Sequence, residues 1–320
     1  GGDLSFRRSG GPWRGGLGVR WEHDLLDPND MGFLSAPDEK LLHAHASWLY
    51  DSDGRAKPFN RAEVNLNGST STFYAGNRGF DINTGGLVWE YEGSHHQFST
   101  VDFNTWAQTK NFQQGWIWIG HRFEGTSKYA TREFYKPFDP PRYTDNGNEQ
   151  FIRYRGPLMT SPAWTGVSFG VDSDWRKPLA VGVEIGFEGN TAGSRFSQYE
   201  LGIRWNQSEH FSHRLGIEYS RNDEDAQWME NFANDGSQPA VAGIGGVDHV
   251  FGRLDQETWE LILRSNILFD RDRSLQVYVA PFHTYGSYSD PRYLATPDSY
   301  DLRPYDLTAS DYDFNYGQVN

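Results

Sequence analysis

Thr165-Gly166-Val167-Ser168-Phe169-Gly170-Val171-Asp172 and, after Arg176-Lys177-Pro178, Leu179-Ala180-Val181-Gly182-Val183-Glu184-Ile185-Gly186-Phe187-Glu188 alternate residue by residue between apolar side chains and small or polar ones. Successive Cβ atoms of a strand point to opposite faces, so each run carries one apolar wall and one polar wall. A period of two rather than 3.6 reads as strand, not amphipathic helix. The Arg-Lys-Pro triplet between the runs reads as a turn. Gly189-Asn190-Thr191-Ala192-Gly193 reads as the loop that follows.

The pattern continues on the C-terminal side. Tyr199, Leu201, Ile203 and Trp205 oppose Glu200, Gly202, Arg204 and Asn206. Leu215, Ile217 and Tyr219 oppose Arg214, Gly216, Glu218 and Ser220; Trp259, Leu261, Leu263, Ile267 and Phe269 oppose Glu260, Arg264 and Asn266. Leu275, Val277 and Val279 follow Asp270-Arg271-Asp272-Arg273. Towards the N-terminus the runs are less regular. Leu41 to Leu49, Arg61 to Phe73, Leu87 to Tyr91, Phe98 to Thr109 and Gly115 to Phe123 read as strands, and Asp30 to Leu34 as a turn or helical bend. No linker or composition shift divides residues 1–320, so one domain is expected.

The polar wall decides the class. A soluble sandwich turns its apolar face to a second sheet, whereas a membrane barrel turns it to lipid and keeps the polar face around a wet lumen. The clean runs are about as long as the 9–11 residues that cross a bilayer when tilted. Trp164, Trp175, Tyr199, Trp205, Phe211, Tyr219, Trp259 and Phe269 sit at run ends, where interface girdles lie. Short turns alternate with two polar segments expected as long loops, Asn222 to Gly246 and Ser287 to Asp311. The expected fold is an all-β, antiparallel, up-and-down transmembrane β-barrel.

Composition agrees. The hydrophobic fraction is 37%, yet aromatics reach 16% and glycine 35 residues, a balance that suits strands with one greasy face. A net charge of -14 gives no basic footprint for nucleic acid, so no nucleic-acid partner is expected. Without cysteine there is no disulfide, thiolate zinc site or Cys nucleophile. No stretch approaches ~18 apolar residues, the length of a spanning helix, and residues 1–10 carry no signal-peptide core.

Several stretches resemble a family of bacterial outer-membrane barrels. They are Asn29 to Leu34, Arg155-Gly156-Pro157-Leu158-Met159, Ser173-Asp174-Trp175-Arg176-Lys177-Pro178, Tyr219 to Gln227, Phe251-Gly252-Arg253-Leu254-Asp255-Gln256, Leu275 to Phe282 and Asp313-Phe314-Asn315-Tyr316. That family is a domain of unknown function that follows an N-terminal carbohydrate-binding domain of the family-9 type. The resemblance implies an outer-membrane location with lipid as the surrounding partner. It offers no catalytic residues. It also implies that the chain is an internal fragment of an unclosed barrel, lacking the signal peptide, the carbohydrate-binding domain and the closing strands.

The candidate lumen residues are Glu184, Glu188, Arg204, Arg214, Glu218, Glu260 and Arg264, with Glu200 on the same side. The simplest reading is a wet wall whose opposite charges pair across strands; paired carboxylates could also cleave a glycosidic bond. Asp51 to Gly54, Asp145 to Glu149 and Asn222 to Asp225 offer hard oxygen ligands, but turn chemistry explains them equally. His43 and His45 share a face without an evident third ligand. Neither a catalytic constellation, a metal site nor a cofactor is expected. The leading expectation is a pore or a ligand-binding or uptake barrel, with carbohydrate as a candidate ligand. A barrel-borne hydrolase and a soluble β-sandwich carbohydrate-binding module are the alternatives.

Overall fold

The computed structural model describes residues 2–22, 39–52, 58–73, 77–80, 87–91, 94–127, 130–131, 133–137, 141, 143, 151–233, 247–306 and 314–318. Its regular elements are all strands. In the N-terminal half they are β1 (Gly2–Arg8), β2 (Trp13–Trp21), β3 (Glu39–Asp51), β4 (Phe59–Phe73), β5 (Asn77–Phe80), β6 (Leu87–Tyr91), β7 (His96–Thr109) and β8 (Gln114–Phe123). Then come β9 (Gly125–Ser127), β10 (Glu133–Pro137), β11 (Phe151–Arg155), β12 (Met159–Ser161), β13 (Trp164–Asp172), β14 (Leu179–Asn190) and β15 (Arg195–Asn206). The last are β16 (Phe211–Ala233), β17 (Val247–Leu268), β18 (Ser274–Val279), β19 (Phe282–Leu294), β20 (Leu302–Pro304) and β21 (Phe314–Gln318).

A 15-stranded sheet runs β1-β2-β3-β4-β7-β8-β13-β14-β15-β16-β17-β19-β20, with β18 also on β17 and β21 also on β19. Its ladders are antiparallel, and the strands it skips form three separate two-stranded pairs, β5-β6, β9-β12 and β10-β11. One isolated bridge, Met159 to Ser299, is parallel. Strands β18 and β19 are one path in one register: Leu263 faces Val279 and Glu260 faces Phe282. Pro281 lies between them; it has no N–H to give, but its carbonyl accepts from Leu261 N at 3.0 Å. Among the described residues β1 pairs only with β2, and β20 and β21 only with β19, so the up-and-down meander is open and not closed into a barrel.

The two ends of the sheet differ. Tight connections at 9–12, 110–113, 173–178, 207–210 and 269–273 share one end. The long excursions between β4 and β7, between β8 and β13, and between β16 and β17 share the other. Two expected loops are partly strand. β16 continues to Ala233 and β17 begins at Val247, while β19 runs to Leu294. Alternation fades there for two reasons: the outer face carries ion pairs (Arg253 to Asp223, 2.6 Å; Arg221 to Asp255, 2.9 Å), and residues 248–252 are buried whichever way they point. Strands β1 and β2 were not anticipated, although Leu17, Val19 and Trp21 alternate with Gly18 and Arg20. Asp30–Leu34, Asp145–Glu149, Asp53 and Gly54, and residues 234–246 and 307–311 of the expected loops lie outside the described residues.

The long-connection end holds the buried cluster: Met159, Phe251 and Leu294, with Ala226, Trp228, Tyr300 and Leu302 against them. The sheet is curled at this end. His95 Nδ1 lies 3.6 Å from Asp298 Oδ2. His95 immediately precedes β7 and Asp298 follows β19 by four residues, yet seven ladder steps separate these strands. On a flat sheet that would be about 34 Å at ~4.8 Å per strand, beyond the reach of four residues at ~3.5 Å each. Ser71, Phe73 and Leu254 lie on the polar wall and are buried at this end, so the polar wall is the inside of the curl.

Candidate functional site: the charged inner wall

The register sorts the side chains into rows. Trp13, Trp48, Val64, Thr105, Ile117, Phe169, Ile185, Tyr199, Tyr219 and Trp259 form one continuous row on the outer wall. The apolar side chains are not sealed in a core: Val171 is 61% exposed, Phe169 42% and Val183 40%. Val181, Ile185, Phe187, Leu201 and Ile203 share that wall, whereas Gly182, Glu184, Gly186, Arg204 and Glu218 share the inner one. Rings of Phe187, Tyr199, Tyr219 and Trp259 touch in sequence along its rim, with centroids 5.9, 6.1 and 4.6 Å apart. Two of the aromatics expected there lie elsewhere. Trp164 points inward beside Trp118 (6.0 Å), and Trp175 sits in the 173–178 turn with the Arg204 guanidinium 5.0 Å from its ring. The turn breaks the strand's alternation, and that removes Trp175 from the outer face.

Inside, the candidate charges form two rows. Glu184 faces Glu200, Glu200 faces Glu218, and Glu218 faces Glu260. Four residues along each strand towards the tight-turn end, Arg204 faces Arg214, and Arg214 faces Arg264. Glu188 belongs to a different row, opposite Phe196. Like charges therefore lie directly across from one another, contrary to the pairing of opposites expected from sequence. β15, β16 and β17 each carry Glu and Arg four residues apart, and the turn lengths set registers that align Glu with Glu and Arg with Arg. Directly opposed like charges disfavour a sheet; at the dielectric of bulk water the cost is about 1 kcal/mol per pair at ~4 Å. Among the described residues no ion pair links the two rows; Gly182, Gly202, Gly216 and Ile262 lie between them.

On the N-terminal side the inner wall is aromatic and amide-rich. Trp116 lies over Gly170: a methyl built on that glycine would come 2.5 Å from the indole Nε1, so the close approach needs glycine. Asn65 is hydrogen-bonded to Asn104 (2.9 Å) and Asn67 to Asp102 (2.8 Å) across β4 and β7. His43 and His45 cover Gly18 and Gly16. Among the described residues no three His, Asp or Glu side chains group closely enough to hold a metal ion. Asn222 to Asp225 is strand, with Asp223 bound by Arg253 and Asp225 by Arg292 (3.3 Å).

At the tight-turn end Arg176 reaches both carboxylate oxygens of Asp174 at 2.9 Å and covers the Phe112 ring of the neighbouring turn. That guanidinium holds the Asp174 carboxyl down at about 2. Arg273 likewise lowers Asp270. The turns are thereby tied into fixed lengths, and the lengths fix the rows above.

A family model matches the sequence over residues 2–320: the domain of unknown function DUF5916. The chain belongs to the DUF5916 family. No curated protein matches it. Family membership brings no named activity, so a reading of this DUF5916 chain rests on its two walls.

Proposed function

We propose that this DUF5916 chain is the wall of an outer-membrane β-barrel, a pore or uptake barrel for a hydrophilic solute. The outer wall would meet lipid and the inner wall would line a wet passage in which Glu184, Glu188, Arg204, Arg214, Glu218, Glu260 and Arg264 select what enters. The observation that carries this reading is the exposed apolar wall running across the sheet from β2 to β17. Soluble monomers rarely expose contiguous apolar patches beyond a few hundred Å². From Phe211 to Tyr219 the outer face of β16 is apolar but for His213, and Arg221 and Asp223 follow. Nine residues is about the length that a tilted strand needs to cross a bilayer.

The stagger supports it as well. Trp13 is the first residue of β2, and Tyr219, in the same row eight ladder steps away, is the ninth of β16. The tight-turn end thus shifts by about one residue per strand. At ~3.3 Å rise and ~4.8 Å strand spacing this corresponds to a tilt of about 35°, within the range of membrane barrels. A carbohydrate-related solute fits the inward indoles of Trp116 and Trp118, whose flat faces suit sugar rings, and fits the family resemblance.

The test compares Val183→Arg with Glu184→Ala in the full chain. A mid-membrane Arg facing lipid costs about 2–4 kcal/mol, while a lumen change tunes selectivity. Val183→Arg is expected to abolish co-flotation with phospholipid vesicles and heat-modifiable gel migration; Glu184→Ala keeps both. Equal assembly of the two variants would remove Val183 from the lipid face and the proposal with it.

A further inference from the structure

We infer that Arg204, Arg214 and Arg264 form a binding site for an oxyanion-bearing solute, a carboxylate or phosphate carried on a sugar-sized molecule. The inference deepens the proposed function by naming the class of solute, and rests on it only for the route by which the solute arrives. Three observations carry it. The arginines occupy directly opposed positions on β15, β16 and β17, and among the described residues none of the three is in a salt bridge. The chain as a whole carries a net charge of -14, so three adjacent unneutralised guanidinium groups are conspicuous. The Nε of Arg204 is shielded from solvent and has no hydrogen-bond partner.

The surroundings shape the site. Two adjoining cavities of about 410 and 620 Å³ share all three arginines, a size that admits a mono- or disaccharide. Trp175 lines one and Tyr278 the other. The Arg204 guanidinium lies 5.0 Å from the Trp175 ring and the Arg264 guanidinium 5.1 Å from the Tyr278 ring. These rings hold the outer two guanidinium groups in place, and the forks of all three present donors that match carboxylate or phosphate oxygens. Glu200 lines the smaller cavity and opposes an anion there.

Isothermal titration of the detergent-solubilised full chain at low ionic strength tests this, with sodium glucuronate and inorganic phosphate as separate probes and uncharged methyl glucoside as the control. Saturable binding of at least one anion, and none of the glucoside, is expected. Arg214→Gln should weaken it about tenfold or more, since charge-assisted bidentate bonds are the strong ones. Glu200→Gln should strengthen it several-fold, a gain that misfolding cannot produce. Glucuronate binding assigns the site to sugar acids, whereas phosphate binding alone assigns it to phosphate-bearing solutes or headgroups. No saturable binding of either anion, or binding unchanged in both Arg214→Gln and Glu200→Gln, overturns the inference. Because the titration needs no bilayer, a site that binds in a chain that fails to float with vesicles would separate this inference from the pore reading.

Discussion

His249 is almost wholly buried at the long-connection end, with Nδ1 2.9 Å from the Thr131 carbonyl oxygen and 2.8 Å from Asn231 Oδ1. Both partners accept, so Nδ1 carries the ring's proton in the neutral form. Burial pushes the imidazole down to about 4. The depressed value sets the sign of its pH effect. Above the unfolded value near 6.5 both states are neutral; below it the unfolded chain takes up a proton that the folded cluster refuses. Stability is lost as pH falls from about 6.5 to about 4, by up to about 3 kcal/mol. Protease protection of the 125–161 and 295–302 segments is therefore expected to fall between pH 7 and pH 4.5. His249→Gln should flatten that dependence; an equally steep profile in the variant would put the titrating group elsewhere. Nearby, Asp225 accepts from Tyr300 Oη (3.0 Å) and pairs with Arg292, and burial together with that carboxylate pushes the Tyr300 phenol up. Sequence showed none of this, because His249 and Asp225 acquire partners more than 60 residues away.

At the scale of elements, the docking of β9 shows how the excursion between β8 and β13 is pinned. Gly125 opens β9 against β7, and a methyl built there would run into the Gln97 carbonyl oxygen and its carbon. Backbone cannot swing aside as a side chain can. Gly125→Ala should therefore undock β9 and β12 at a cost of about 1–3 kcal/mol, the range for overpacking. Limited proteolysis at residues 128–158 reads it: faster cleavage with the main sheet's circular dichroism unchanged is expected, and unchanged cleavage would mean that β9 is held by other contacts. The main strands, by contrast, were legible. β13 to β17 follow the alternation of Thr165 to Phe269 because one face meets a polar interior and the other does not. Where β16 leaves that regime, past Tyr219, alternation stops, and Asn222 to Ala233 is strand where the sequence pattern predicts loop.

At the scale of the whole molecule the curl makes a measurable claim. With no cysteine in the chain, His95→Cys and Asp298→Cys give two unique spin-label sites. The backbone bonds from Asp298 N to the Leu158 carbonyl (2.7 Å) and from Thr160 N to the Ser299 carbonyl (2.9 Å) remain to hold the loop. Double electron–electron resonance should give a label separation below about 20 Å. A flat sheet would place the ends of these strands about 34 Å apart at ~4.8 Å per strand, so a distance distribution centred there would overturn the curl and with it the enclosure of the polar wall.

The sequence by itself determined that the chain is antiparallel β, where most of its central strands lie, and which residues share a wall, because a period of two is a local property of the backbone. It also marked Glu184, Glu188, Arg204, Arg214, Glu218, Glu260 and Arg264 as one polar surface. Which of them stand side by side is a matter of register, and register depends on turn lengths and tied turns such as Asp174 with Arg176. Only the tertiary structure turned a scatter of mixed charges into a row of glutamates and a row of arginines, moved Trp175 from the outer face to the inner, and packed Met159, Phe251, Leu294 and Tyr300 together at one end. Those are outcomes of contacts between residues far apart in the chain, where a shift of one residue in any ladder would send every side chain to the other wall.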